Sequence, residues 1–191
     1  MRVDSGDPVP VREMVGVAGQ VISLVPATGV VHLQFVRFAG CPICNLHLRR
    51  FAGRASELAS AGIVEIVVFH SSAEELMKYE AELPFPAVPD PDKRLYGLFG
   101  VETSPRAVAD PRVWGDAVWG LVTDARRARK TGAPMPPARP RHGEFGLPAD
   151  FLIGREGVII AAKRGLHAAD QWDVDDVLRL ARYGPNELHD N

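Results

Sequence analysis

Cysteine is scarce in this sequence: the 191 residues hold two, Cys41 and Cys44, three positions apart. A pair so close cannot staple a long loop as the disulfide frameworks of small secreted domains do, and its bond closes only a very small ring. In a reducing compartment such a pair is redox-active or metal-binding rather than structural. Charge of one sign is lacking as well. The 22 Lys and Arg against 24 Asp and Glu leave a formal net charge of −2, which implies no polyelectrolyte partner and sets nucleic-acid binding aside. The one basic cluster, Arg126, Arg127, Arg129 and Lys130, reads as a solvated helix face. No run approaches the roughly 18 apolar residues of a membrane span. Asp4 and Asp7 stand where a signal peptide would be basic and then apolar, so the expectation is a cytoplasmic protein with no membrane partner. There is no P-loop, nucleotide-binding glycine motif or serine-nucleophile motif, and no organic cofactor is called for.

What remains is an ordinary globular composition, 46% hydrophobic and 24% charged, of a length that fits one domain over 1–191. Residues 1–28 alternate turn formers with short β-branched pieces and read as an irregular lead-in with one or two small strands. Val30–Val36 is a buried strand by pattern, and Ile63–Phe69 is the clearest strand in the sequence. Between them, apolar positions at helical spacing predict one helix from Ile43 to Ala61. Ser71 or Ser72, followed by Glu74 and Glu75, predicts an N-cap and a helix through about Glu80. An extended Phe85–Pro89 and a short helix containing Leu95 to Phe99 come next. Residues 102–145 form an insert, with a helix over 111–130 and a Pro/Gly/Arg-rich loop over 131–143. Two apolar strands around the Gly154–Gly157 turn and a helix over Val174–Ala181 close the chain. The order β–α–β–α, insert, β–β–α predicts an α/β fold with parallel pairing at its centre.

The chemistry is carried by Phe38-Ala39-Gly40-Cys41-Pro42-Ile43-Cys44, at the seam between a strand and a helix. The first helical turn offers unpaired N–H groups and a partial positive charge, which stabilise a thiolate. A second cysteine three residues on can displace a mixed disulfide within the same molecule. On this reading Cys41 attacks, Cys44 resolves, and Pro42 shapes the turn. The rival use of the same residues is a metal site: Cys41, Cys44 and His47 lie on one helical face and supply thiolate and imidazole ligands for zinc or copper, with no fourth ligand evident. His47 by itself reads as a surface or partly buried histidine.

This motif within β–α–β resembles the thioredoxin-like superfamily, and its nearest branch is the peroxiredoxin-like proteins of the alkyl hydroperoxide reductase/thiol-specific antioxidant group that carry Cys-x-x-Cys. The resemblance spans about residues 20–182. It implies a thioredoxin-like fold, a central mixed sheet flanked by helices with a helical, Pro-rich insert before the final hairpin. It also implies a thiol-dependent oxidoreductase without a cofactor, whose partners are protein or low-molecular-weight thiols and disulfides, with peroxide as the alternative substrate. In that branch the second cysteine takes the peroxidatic place, which points to Cys44 as nucleophile where the dithiol reading points to Cys41. The family's proline and threonine, seven and three residues before the peroxidatic cysteine, are Arg37 and Cys41 counted from Cys44, and Gln34 and Phe38 counted from Cys41. The family arginine near the last core strand is absent from Leu147-Pro148-Ala149-Asp150, and Arg37 stands as a substitute charge near the thiols. Thioredoxin-like proteins also place a cis-proline before this strand, beside the dithiol, and a cis Leu147–Pro148 bond is expected to present backbone to a substrate. His70, at the end of a core strand, is expected to be structural, with a catalytic base as the alternative, and Trp114 and Trp119 to pack the insert onto the domain, with the wall of a substrate groove as the alternative.

Overall fold

The computed structural model describes residues 2–102, 112–137 and 146–184. The parts of the expected insert at 103–111 and 138–145 lie outside them. The short strands β1 (Glu13–Val15) and β2 (Val21–Ser23) pair antiparallel as a small separate sheet. The main sheet has five strands in the order β5-β4-β3-β6-β7, namely β3 (Val30–Val36), β4 (Ile63–Phe69), β5 (Ala87–Pro89), β6 (Ala149–Ile153) and β7 (Ile159–Arg164). The β-branched runs of β3 and β4 form its parallel centre, in register from Val30 opposite Ile63 to Val36 opposite Phe69. β5 adds parallel to β4, while β6 runs antiparallel to β3 and β7 antiparallel to β6, so the sheet is mixed.

Alternation along the strands divides the core into two layers. Val31, Leu33 and Phe35 of β3, with Ile66, Val68 and Phe151, meet Tyr96 and Phe99 of α4 (Arg94–Phe99). On the other face Val36, Val67, Phe69 and Leu152 meet α1 (Pro42–Gly53), α2 (Ala55–Ser60), α3 (Ala73–Tyr79) and the last helix, α6 (Val174–Tyr183). The helix expected over Ile43–Ala61 is therefore two. Arg54 leaves the helical region at φ −118°, ψ 17°, closing α1 and opening α2. The preceding Gly53 lowers the cost of a break there, and the Arg54 guanidinium ties the corner to Glu57 and Asp175. The N-cap of α3 is Ser72, in a capping box with Glu75.

The insert supplies α5 (Arg112–Thr131), which lies along α1. Ala117, Gly120 and Asp124 share its inner side, one turn apart. Trp114 and Trp119 do not pack it down, contrary to the sequence expectation; they are 67% and 54% exposed on the outward arc, with Val118. Among the described residues, no helix is long and apolar enough to cross a membrane.

A polar row runs through the layer beneath α1. His32 and Gln34 of β3, Glu65 of β4 and Asp150 of β6 all point to that face and are buried. His32 Nδ1 donates to Glu65 at 2.9 Å and Nε2 faces Asp150 Oδ1 at 3.4 Å. Gln34 donates to Glu65 at 2.8 Å, and Asp150 takes the Trp172 N–H and the Gln171 amide, each at 3.2 Å. Burial by itself pushes the His32 imidazole down, but the two carboxylates overturn that and raise it to about 9, so the ring is an imidazolium between two acids.

Candidate active site

β3 ends at Val36, and the chain turns through Gly40 into α1. Gly40 takes φ +78°, the left-handed region, and a Cβ there would stand 2.9 Å from Pro137 and 3.0 Å from Tyr79, so only glycine fits. The turn is held from outside: the Ala39 N–H donates to Ser71 Oγ at 3.0 Å and the Gly40 N–H to Glu80 Oε1 at 2.8 Å. Cys41 is then the N-cap of α1, in extended backbone, with Pro42 opening the helix where a missing N–H costs nothing.

Cys41 Sγ plays the part that a serine or aspartate oxygen plays at most N-caps. It accepts the Cys44 N–H at 3.4 Å, the Cys44 thiol at 2.7 Å and Arg37 Nη1 at 3.7 Å. Burial alone pushes this thiol up. The Cys44 hydrogen bond, the Arg37 charge and the N–H groups of Cys44 and Ile43 outweigh it and bring Cys41 down to about 7. Cys44 moves the other way: burial and its role as donor to the Cys41 sulfur hold its thiol well above the ordinary range. Both cysteines are free and buried, so the pair stands as a dithiol whose two members have opposite proton affinities.

Arg37 is itself buried, its guanidinium 5.3 Å over the Phe38 ring. Phe38 also meets the buried His70, which contacts Tyr96 in turn. His47 is directed elsewhere. Its Nε2 donates to Gln34 Oε1 at 2.9 Å, and burial pushes it down to about 4, so it is a neutral donor. Among the described residues no three His, Cys, Asp or Glu side chains converge as a metal site, which overturns the Cys41, Cys44, His47 ligand set. The expected cis bond is also corrected: Leu147–Pro148 is trans. Both residues are buried, and their backbone is already engaged, the Leu147 N–H with Glu102 O at 3.1 Å and Pro148 O with the Gly165 N–H at 2.8 Å.

Three neighbours of the dithiol escaped sequence reasoning. Glu80 looks like the last charge of an amphipathic helix, yet burial and the Cys41 charge raise its carboxyl to about 7 against the lowering effect of the Gly40 N–H. Asn45, next to Cys44, carried no signal. Gly120 lies where a Cβ would overlap the Pro42 carbonyl, which lets the backbone of α5 sit directly on the dithiol turn. Arg49 and Asn45 of α1 hold Asp124 of α5, and Arg127 holds Glu82. Replacing Gly120 with Ala is expected to lift α5 and to raise the rate of cysteine alkylation by iodoacetamide roughly tenfold, since overpacking of this kind costs ~1–3 kcal/mol. An unchanged rate would show that α5 does not screen the thiols.

A dithiol at the end of the first central strand, capping the following helix, in a β5-β4-β3-β6-β7 mixed sheet with helices on both faces, defines a thioredoxin-like protein of the peroxiredoxin-related kind. The model of the AhpC/TSA family matches residues 5–162, and the chain belongs to that family. The family makes it a thiol peroxidase or thiol–disulfide oxidoreductase. Among solved structures it is similar to the peroxidoxin BcpB of Mycobacterium tuberculosis, at 17% identity and a TM-score of 0.64 over 95% of this chain and 97% of that one. Peroxiredoxin Q of Xanthomonas campestris matches at 17% identity and 0.60, over 95% and 96%. A Chlorobium tepidum protein assigned provisionally as the thiol:disulfide interchange protein DsbE matches at 20% and 0.53, over 85% and 87%. At these identities the likeness is one of fold. No curated protein matches the sequence.

Proposed function

We propose that the chain is a thiol–disulfide oxidoreductase in which Cys41 is the nucleophile and Cys44 the resolving thiol. The observation that carries this is the position of Cys41 Sγ at the N-cap of α1, where it takes the Cys44 backbone N–H and the Arg37 guanidinium and lies 2.7 Å from Cys44 Sγ. The Cys41 thiolate attacks one sulfur of a disulfide R–S–S–R′; that bond breaks and R′S⁻ leaves, taking the Cys44 proton. The Cys44 thiolate then attacks Cys41 Sγ and expels RS⁻, which is protonated from solvent. Two electrons pass from the dithiol to the substrate, and a Cys41–Cys44 disulfide remains.

The burial of both sulfurs favours a second substrate, a hydroperoxide small enough to reach them. Cys41 then attacks the terminal oxygen, the O–O bond breaks, ROH leaves with a proton, and Cys44 converts the resulting sulfenic acid to the disulfide with loss of water. Phe38 and Gln34 stand where the family's threonine and proline would be, and Phe38 offers no hydrogen bond to a peroxide. The deciding measurement is the second-order rate of oxidation of the reduced protein by hydrogen peroxide and by a small aromatic disulfide. We expect the disulfide to react well above the rate of a free thiolate and peroxide near it. The reverse order would make the protein a peroxidase.

The rate is expected to follow the thiolate, rising with pH through about 7 and levelling above. Arg37→Met withdraws the charge 3.7 Å from Cys41 Sγ, so the midpoint moves to higher pH. The variant loses roughly tenfold at pH 6 if the midpoint rises by one, and recovers on the alkaline plateau. A pH–rate profile unchanged by Arg37→Met would remove Arg37 from the site.

A further inference from the structure

We infer that the outer face of α5 is a membrane-surface contact that takes anionic lipid. This goes beyond the thiol chemistry and does not rest on it. Ala117, Gly120 and Asp124 turn the inner side of α5 onto α1 and its surroundings, so the arc opposite them faces out. Val118 is 65%, Trp119 54% and Leu121 47% exposed there, with Val122 beside them. An apolar arc left uncovered over more than a turn of helix marks a contact surface. Farther along, at Arg126 and Arg129, the same arc becomes basic, and the exposed Lys130 borders it.

The charge on this arc is of one sign. α5 holds Arg112, Arg126, Arg127, Arg129 and Lys130 against Asp116 and Asp124. Asp124 is buried and turned in to Asn45 and Arg49, and helical spacing sets position 116 on the Gly120 side. Arg127 is spent on Glu82. Arg126, Arg129 and Lys130 are left as exposed cations at one end of the apolar arc, on a chain whose net charge is −2.

The occupant has to bring an apolar layer with negative charge beside it. A second copy does not. Laid antiparallel, it sets the 126–130 end on its partner's Val118 and Trp119; laid parallel, it sets cation on cation, and neither arrangement supplies an acid. An anionic lipid surface does supply both. The cleft beside α5 is lined from the helix's inner side, by Asp124, Arg127 and Thr131, so the outer arc is a ridge, and a ridge enters the headgroup layer without a complementary groove. Interfacial helices bury such faces ~5–10 Å deep, with indole rings at the boundary and Arg and Lys on the lipid phosphates. Neither the lack of a spanning helix nor the overall charge bears on this, because such a helix lies in the headgroup plane and acts through its local charge. Gly120 seats α5 on Pro42, so the dithiol turn lies one helix thickness, roughly 10 Å, behind the lipid-facing arc.

The test is co-sedimentation of the full chain with vesicles of phosphatidylglycerol and phosphatidylcholine in equal parts, and with phosphatidylcholine alone. The mixed vesicles are expected to bind about a hundredfold more tightly, as three cations at an anionic surface provide, and to lose that advantage as salt rises from about 0.05 to 0.5 M. Trp119 emission is expected to shift to the blue and to be quenched by lipids brominated on the acyl chain. Trp114→Phe removes the other exposed indole for this reading, and Trp172 is buried. Arg126→Gln combined with Arg129→Gln is expected to weaken binding to the mixed vesicles roughly thirtyfold. Val118→Ser combined with Val122→Ser is expected to weaken it about tenfold and to abolish the quenching. No binding by the wild type, or binding that the valine changes leave intact and brominated chains do not quench, would overturn the inference. A concentration-dependent dimer weakened by the valine changes, without vesicle binding, would give the face to a second copy instead. If a variant does not fold, the lipid preference and the quenching of the wild type decide.

Discussion

Cys41→Ser protein is expected to lose at least about two orders of magnitude in its rate with any electrophilic sulfur or oxygen, while Cys44→Ser keeps the first step and stops there. The thiolate is the nucleophile, and its population falls about tenfold for each pKa unit above the ambient pH. With Cys41 gone, the remaining thiol is Cys44, which loses the raising effect of Cys41 but keeps the larger one of burial, so its thiolate stays the minor form at neutral pH. In Cys44→Ser a hydroxyl replaces the thiol that donates to Cys41 Sγ at 2.7 Å, and the backbone N–H at 3.4 Å is untouched. The Cys41 thiolate therefore keeps its stabilisation and forms a mixed disulfide or a sulfenic acid that nothing resolves. Mass spectrometry after a short exposure reads this directly: one adduct on Cys41 in Cys44→Ser, and an unmodified chain in Cys41→Ser. The opposite pattern would move the nucleophile to Cys44, as the family resemblance taken alone implied.

Much of the frame that holds the dithiol is local and therefore legible in sequence. The apolar runs of β3 and β4, the Cys-Pro step at a helix start, and Ser72 with Glu75 at the next one each declare themselves within a few residues. What stayed hidden depends on partners far along the chain. His32 and Glu65 meet because β3 and β4 pair in parallel with those residues opposite, and Asp150 arrives opposite Gln34 from the antiparallel side. Each looks alone like one polar residue in an apolar strand. The Trp114 and Trp119 expectation failed for a related reason. Size suggested that the tryptophans anchor the insert, but α5 lies too close to α1 for large side chains, and Gly120 and Ala117 take the contact. Glu80 and Asn45 carry no pattern at all; only the folded turn sets them beside the sulfurs.

His32→Leu is expected to destabilise the protein by ~3–5 kcal/mol at pH 6, because it leaves Glu65 and Asp150 as buried carboxylates with no cation between them. The pH dependence separates this loss from a simple packing defect. The folded imidazole titrates near 9, above the unfolded value of 6.5, so the stability it contributes is complete below about 6.5 and disappears as pH rises through 9. The difference corresponds to about 3 kcal/mol. Urea midpoints of the wild type should therefore fall between pH 7 and 9.5, with an unchanged slope, while His32→Leu starts lower and lacks this decline. The two curves should converge on the alkaline side. A constant gap from pH 6 to 9.5 would mean that the ring is neutral in the fold. The position of the row gives the measurement a second consequence. His47, one turn beyond Cys44, donates into this network through Gln34, so discharge of His32 loosens the support under the dithiol helix as well as the core.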